Sequence, residues 1–414
     1  MKKINCTNPY SNNLLNKVLY SGITFLANAL LTRFLGTQLK GDYTWVLNTA
    51  NLLSIVAGLG VYQSIPFFNR KSTNEENIIQ DYVNMFSFQF LVYLVLSILI
   101  VCVSQSILVS LVAFLMNVDM LSQQLNMLML ISDIRKRNRI FLSGAILNLG
   151  LCAIVYAWGV SNLYAAIAIT LIIKIFYIIG YLFTMRIIPR PLKIDFRRIA
   201  ERIKFGYLPM LSFLLITLNY KVDILMLKAD TDISSLELSL YSVGVSIAEI
   251  AWFIPDVFKE VVFAKTAKKN EYEEVASVIR ISNAVMAMVI LGILVLGKGF
   301  IRIFYGNDFV NAYKVTVVLF MGIPAMCWFK IIYTLFNAQG KRKISFLVLL
   351  MSAAINILLN LILIPLIGII GAAAASVFTY LCCGIIFLVL FGRASKIPLR
   401  KLFFMRKDDI KIFK

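Results

Sequence analysis

Apolar stretches long enough to cross a bilayer follow one another through almost all 414 residues. In a helix, about 20 apolar residues cover a hydrocarbon core roughly 30 Å thick. Lipid offers no hydrogen bonds, so each stretch has to satisfy its own backbone and folds as a helix. The spans read as 14–35, 43–65, 83–103, 107–131, 140–160, 163–185, 206–228, 238–260, 277–297, 312–337, 344–366 and 368–391. The expected fold is therefore an all-α integral membrane protein with about 12 transmembrane helices. Composition agrees: 60% of the residues are hydrophobic and 15% charged, against roughly 45–50% and 25% in soluble domains. The first stretch is too long for a secretory leader core and lacks a small-residue cleavage site.

The formal charge of +20 would suggest a nucleic-acid partner in a soluble chain. Here its distribution gives another cause, and no nucleic acid is expected. With the N-terminus inside, the inner connectors and tails hold 31 Lys and Arg, and the outer ones hold six. The positive-inside rule then puts both termini in the cytoplasm. The domains read as an N-terminal six-helix lobe at 1–185, a cytoplasmic linker at 186–205, a C-terminal six-helix lobe at 206–391 and a basic tail at 392–414. In the linker, Ile194, Phe196, Ile199 and Ile203 alternate with basic residues, which suggests a helix lying on the membrane surface.

The two lobes look related. Residues 146–166 and 354–374 share Asn148/Asn356, Leu151/Leu359, Ile154/Ile362, Ala165/Ala373 and Ala166/Ala374 at an offset close to half the chain. In each half a basic cluster enters a span, a very short outer turn follows, and small residues open the next span. Six spans per half put both halves in the same orientation, a parallel repeat.

Enzyme chemistry finds no support. The chain has no histidine, so it can hold no nucleophile–His pair. Any proton coupling falls to carboxylates. The six cysteines, Cys6, Cys102, Cys152, Cys327, Cys382 and Cys383, show no metal spacing and read as free thiols. The run Gly292–Gly299 imitates a phosphate loop but lacks its Ser/Thr and follows a membrane helix instead of a strand. No metal or other cofactor is expected.

Polar residues inside the spans fall on helical stripes. Span 1 has Ser21, Thr24, Asn28 and Thr32. Span 4 has Asp119, Ser122, Gln123 and Asn126. Span 8 has Ser239, Ser242, Ser246, Glu249 and Asp256, and span 10 has Lys330, Tyr333 and Asn337. Span 11 has Ser352, Asn356 and Asn360. Together they would line a polar cavity, with Asn28 and Asn356 as candidate ligands. A charge inside a bilayer costs at least a few kcal/mol and marks a path for a polar passenger. Lys174 lies eleven residues from either end of its span, too deep to snorkel. Lys221 and Lys330 are further candidates for an anionic cargo. Asp119, Asp223, Glu249 and Asp256 are candidates for ion coupling. The competing reading pairs these charges with one another, Lys174 with Asp119 or Lys221 with Glu249.

Four segments carry a resemblance. LTRFLGTQLKGDYTWVL at 31–47 is similar to the span 1–2 junction of polysaccharide-export flippases, and GLGVYQSIPFF at 58–68 to the end of their span 2. KVDILML at 221–227 resembles their span-7 acidic signature, with Ile224 where they commonly have Arg. Residues 337–376 look like their region from span 10 to span 12. The chain thus resembles the Wzx-type O-antigen flippases of the multidrug/oligosaccharidyl-lipid/polysaccharide (MOP) exporter superfamily. The resemblance implies two six-helix lobes around a V-shaped cavity in the bacterial inner membrane. Its implied cargo is an undecaprenyl-diphosphate-linked O-antigen or capsule repeat unit, moved to the periplasmic leaflet. The cavity bases would meet that cargo: Lys174, Lys221, Lys330 and Arg33. Partners implied are membrane lipids and an O-antigen polymerase with its chain-length regulator. The alternative is a MATE-type multidrug or cation exporter on the same fold.

Overall fold

A computed structural model describes residues 9–71, 75–159, 161–252, 255–256, 272–406 and 409. Cys6, Phe253 and most of the basic cluster before span 9 lie outside the described residues. The described residues form eleven α-helices: α1 (Pro9–Ala57), α2 (Ile65–Lys71), α3 (Glu75–Val103), α4 (Ile107–Ser132), α5 (Ile134–Trp158), α6 (Leu163–Met185), α7 (Phe196–Ala229), α8 (Ser235–Ala251), α9 (Tyr272–Phe304), α10 (Ala312–Ala338) and α11 (Arg342–Ser395). No strand occurs among the described residues. Nine of these helices are long and apolar enough to cross a membrane. Two of the nine, α1 and α11, each hold two crossings. Helix α8 has 17 described residues, and the rest of its expected span lies mostly outside them. The described residues thus hold eleven such crossings, α8 covers part of the expected twelfth, and the protein is an all-α, multi-pass membrane protein.

The two double helices are folded back on themselves. In a straight helix Asn28 and Lys40 would stand about 18 Å apart at 1.5 Å per residue, yet Lys40 Nζ donates to Asn28 Oδ1 at 3.2 Å. The reversal sits at Gly36, with φ 63°, a conformation that glycine takes without a Cβ clash. Residues 37–42 are already helical, so no outer loop separates the arms. In α11 the reversal is at Ile367 and Gly368. There Asn356 Nδ2 reaches Thr379 Oγ1 at 3.5 Å across 23 residues. A Cβ on Gly371 would lie 2.1 Å from the Leu363 carbonyl oxygen, so only glycine allows the arms this close.

Caps set several boundaries. Asp133 accepts from the amides of Arg135 and Lys136, which starts α5 at Ile134, six residues earlier than hydropathy alone suggests. Asn162 caps α6, and Ser234 with Glu237 forms a capping box at α8. Span 2 ends at Ala57 instead of 65, because Leu59 and Gly60 take positive φ. The 186–205 segment is not one surface helix. Pro189 and Pro191 disfavour helix, and residues 186–195 are irregular. Asp195 then caps a helix that runs from Phe196 straight into the next span.

The chain divides into two compact units after Leu214, inside α7. In unit 1, α1 packs on α4, α5 and α6, while α3 pairs with α4. The α7 backbone also meets the 58–61 turn: a Cβ on Gly206 would lie 1.7 Å from the Gly60 carbonyl oxygen. In unit 2, α10 packs on α8, α9 and α11. Large apolar side chains such as Val95 and Leu99 on α3 or Met288 and Val295 on α9 remain exposed, as a lipid-facing surface requires.

Candidate functional site

Unit 1 gathers its polar residues around Asp119. Lys174 Nζ on α6 donates to Asp119 Oδ1 in a close ion pair. The other carboxylate oxygen accepts from Asn51 Nδ2 at 3.1 Å, Ser54 Oγ at 3.1 Å and Gln123 Nε2 at 2.7 Å. Helices α1, α4 and α6 thus meet at one carboxylate. Four donors neutralise it and satisfy most of its lone-pair directions. The pairing named as the competing reading is present, but it is not sealed. The Asp119 side chain is 6% exposed and the Lys174 side chain 31%. On the inner part of α6, from Ile172 onward, the exposed apolar residues are Ile172, Ile175, Ile179 and Phe183. At 100° per residue they centre about 140° around the helix from Lys174. The open side of Lys174 therefore does not face the lipid stripe.

The span-1 stripe continues this polar region. Asn28 is half-buried and holds Lys40. Lys40 is 3% exposed and lies over the Tyr43 ring at 5.4 Å. Arg33 is half-buried, three residues before the reversal. Sequence reasoning took Lys40 for an outer-loop charge. It also passed over Asn51 and Ser54, although Asn48, Asn51 and Ser54 repeat every third residue. On α4, Asn126 accepts from Arg137 Nε at 2.7 Å, a structural bond at the helix end.

Unit 2 spreads its charges over several sites. Lys330 Nζ lies 3.4 Å from Asp256 Oδ1 and stands over the rings of Trp252 at 5.0 Å and Tyr220 at 5.9 Å. Asp223 on α7 is 2% exposed. Its Oδ2 accepts from Ser376 Oγ at 2.6 Å and from Tyr241 Oη. Its Oδ1 has no hydrogen-bond partner among the described residues. Beside it lies an enclosed space of about 10 Å³ among Tyr220, Asp223, Val245, Ala248, Trp252 and Tyr380, room for about one water. Lys221 is half-buried and Glu249 exposed.

Other stripe residues bond within a helix or between helices. Ser242 and Ser246 bond carbonyls one turn back on α8. Asn356 and Asn360 are fully buried and bond each other, so Asn356 lies in the helix-packing core. Ser352 donates to Asn219 at 3.1 Å. Sequence reasoning also missed a clamp on the C-terminal tail. Arg280, 2% exposed, forks onto Asp409 with contacts of 2.6–3.0 Å and also donates to the Lys401 carbonyl. Burial opposes ionisation of Asp409, but the Arg280 fork and the Arg406 amide outweigh it and hold the carboxyl below its ordinary range.

The structure resembles the lipid II flippase MurJ in its inward closed conformation, with TM-score 0.68, 16% identity, 94% of this chain and 88% of that one covered. It also resembles an inward-facing multidrug resistance MATE transporter of the MOP superfamily, with TM-score 0.67, 15% identity and coverage of 93% and 99%. An outward-facing MATE transporter of the same superfamily aligns with TM-score 0.55, 15% identity and coverage of 93% and 96%. The chain shares the all-α membrane fold of these three structures. No family model matches the sequence, and no curated protein matches it. At these identities the likeness is one of fold. In that fold, Lys174 and Asp119 lie on the sixth and fourth crossings, and Asp223 lies on the seventh.

Proposed function

We propose that the protein flips an undecaprenyl-diphosphate-linked O-antigen or capsule repeat unit from the cytoplasmic to the periplasmic leaflet of a bacterial inner membrane. The sequence resemblance supports this reading, as does a fold shared with a lipid II flippase. The observation that carries it is Lys174, a lysine at mid-span whose open side turns away from the lipid stripe. A sugar pyrophosphate is strongly disfavoured in hydrocarbon, since each unpartnered polar group costs several kcal/mol. A lysine offers its phosphate a charge-assisted bond. Lys221, Lys330 and Arg33 extend the basic set, and Asn28 adds a neutral contact. On this reading the cargo anion competes with Asp119 for Lys174. Asp223 is the foremost residue for ion coupling, because one oxygen of a buried carboxylate lacks a partner beside a water-sized space. Asp256, Glu249 and Asp119 are the other coupling candidates. Delivery to a polymerase with its chain-length regulator belongs to the same reading.

The MATE-type exporter is the second reading, favoured by the acidic residues. Asp119, however, spends its charge on Lys174, which leaves less for a cationic drug. Reconstituted protein with a fluorescent undecaprenyl-diphosphate oligosaccharide separates the two. Wild type should move the lipid, while Lys174→Ala should not, at equal reconstituted amounts. Full flipping by Lys174→Ala removes that lysine from the path. Drug resistance conferred on a pump-deficient host, without lipid flipping, supports the exporter.

A further inference from the structure

Arg202 is a buried cation that makes no ion pair among the described residues. It stands on the seventh residue of α7 and is 6% exposed. Its guanidinium carbon lies 4.1 Å from the centre of the Phe68 ring and 4.6 Å from that of Tyr82. Its Nε has no hydrogen-bond partner, and no carboxylate among the described residues pairs with it. Asp81 is taken by Arg198, and Asp195 also faces Arg198. Glu201, the preceding residue, makes no ion pair with it. Ring stacking stabilises a cation, but by less than desolvation costs a buried ion. Two rings leave that balance unfavourable, and an external anion would correct it.

The neighbouring chain indicates which anion. Polar side chains of α3 pin the 186–195 segment by its backbone: Gln80 Nε2 donates to the Ile188 carbonyl at 3.0 Å, Asn84 Nδ2 to that of Lys193 at 3.4 Å, and Asn84 Oδ1 accepts from the Arg190 amide at 2.9 Å. Held in this way, Ile188, Leu192 and Phe196 remain 72%, 89% and 66% exposed. Arg186, Arg190, Lys193 and Arg197 alternate with them. A pinned row of bare apolar tips between cations suits the boundary where acyl chains meet anionic head groups. We propose that Arg202 and this segment form a site for the phosphate of an anionic phospholipid, with Ile188, Leu192 and Phe196 set in the acyl boundary. The site does not depend on what the protein carries.

Thermal unfolding of the full-length protein in non-ionic detergent tests the proposal, with phosphatidylglycerol, phosphatidylcholine or inorganic phosphate added. Phosphatidylglycerol should raise the Tm of wild type, and the other two should not. Arg202→Met keeps the stem and removes the charge. Without lipid its Tm should equal or exceed that of wild type, and its apparent affinity for phosphatidylglycerol should be at least about tenfold weaker, the loss of one charged hydrogen bond. Arg202→Lys should respond in between. A Tm lowered equally with and without lipid would mark a purely structural arginine and overturn the proposal. So would an undiminished response of Arg202→Met, or inorganic phosphate matching the lipid. If Arg202→Met fails to fold, the doubly exposed variant Ile188→Gln/Leu192→Gln decides. A weakened lipid response supports the site, and an unchanged one overturns it.

Discussion

Asp119 in unit 1 and Asp223 in unit 2 are both buried carboxylates, and they are partnered in different ways. In unit 1 one carboxylate and one lysine meet inside a shell of amides and a hydroxyl, and Asp119 collects four donors from three helices. Unit 2 has a saturated fork at its tail, Arg280 on Asp409, but its buried Asp223 makes no ion pair among the described residues. Asp223 leans on two hydroxyls with one oxygen unpartnered among the described residues, while Lys330 rests against aromatic faces with a long contact to Asp256. A saturated pair is rigid and holds helices in place. An unsaturated carboxylate stays responsive to whatever ion or water reaches it. The contrast teaches that a count of intramembrane charges says little until their partners are known.

Substitutions can break this contrast. Asp119→Leu should have the largest effect, because it strands Lys174: about 3–5 kcal/mol of stability lost, read by unfolding in detergent. Lys174→Met should cost less, about 1–2 kcal/mol, since Asp119 keeps three hydrogen bonds. Equal losses from the two would show that the amide shell does not support the carboxylate.

On the unit 2 side, Asp409→Ala should cost about 3 kcal/mol by leaving Arg280 buried without its anion, and the C-terminus should become protease-sensitive. The pH dependence has a definite sign. The Asp409 carboxyl is held below its ordinary value, so its stabilisation is complete above the unfolded value, near pH 4. It fades as pH falls below that and through the folded value. A wild-type stability curve that does not steepen below pH 4 relative to Asp409→Ala would contradict the clamp. Asp223→Asn should have the smallest effect on stability, under about 1 kcal/mol, because the amide oxygen still accepts from Tyr241 and Ser376. Its effect should appear in ion-gradient-driven transport. Unaltered gradient dependence would remove Asp223 from coupling.

Much of this was legible in the sequence. The crossings follow from hydropathy, and the Lys174–Asp119 pair follows from depth and type. Other features were hidden for physical reasons. The reversal at Gly36 needs no linking residues, so the turn expected around 36–42 became helix and carried Lys40 inside. Asn51 and Ser54 read as ordinary helix-packing polars until Asp119 gave them a common target. Arg202 was one of seven basic residues in its connector. Nothing in a sequence separates a solvated arginine from one trapped between Phe68 and Tyr82. The tail clamp pairs residues 129 apart, beyond the reach of local spacing.

The hinge-free folding of α1 and α11 has a mechanical consequence. Two arms joined at one residue in α1 and two in α11, without slack, cannot slide past each other; they can only splay like the blades of closed scissors. Any lengthening at Gly36 or Gly368, even a three-residue epitope, should uncouple the blades, so reporters for motion belong on the opposite ends of those helices.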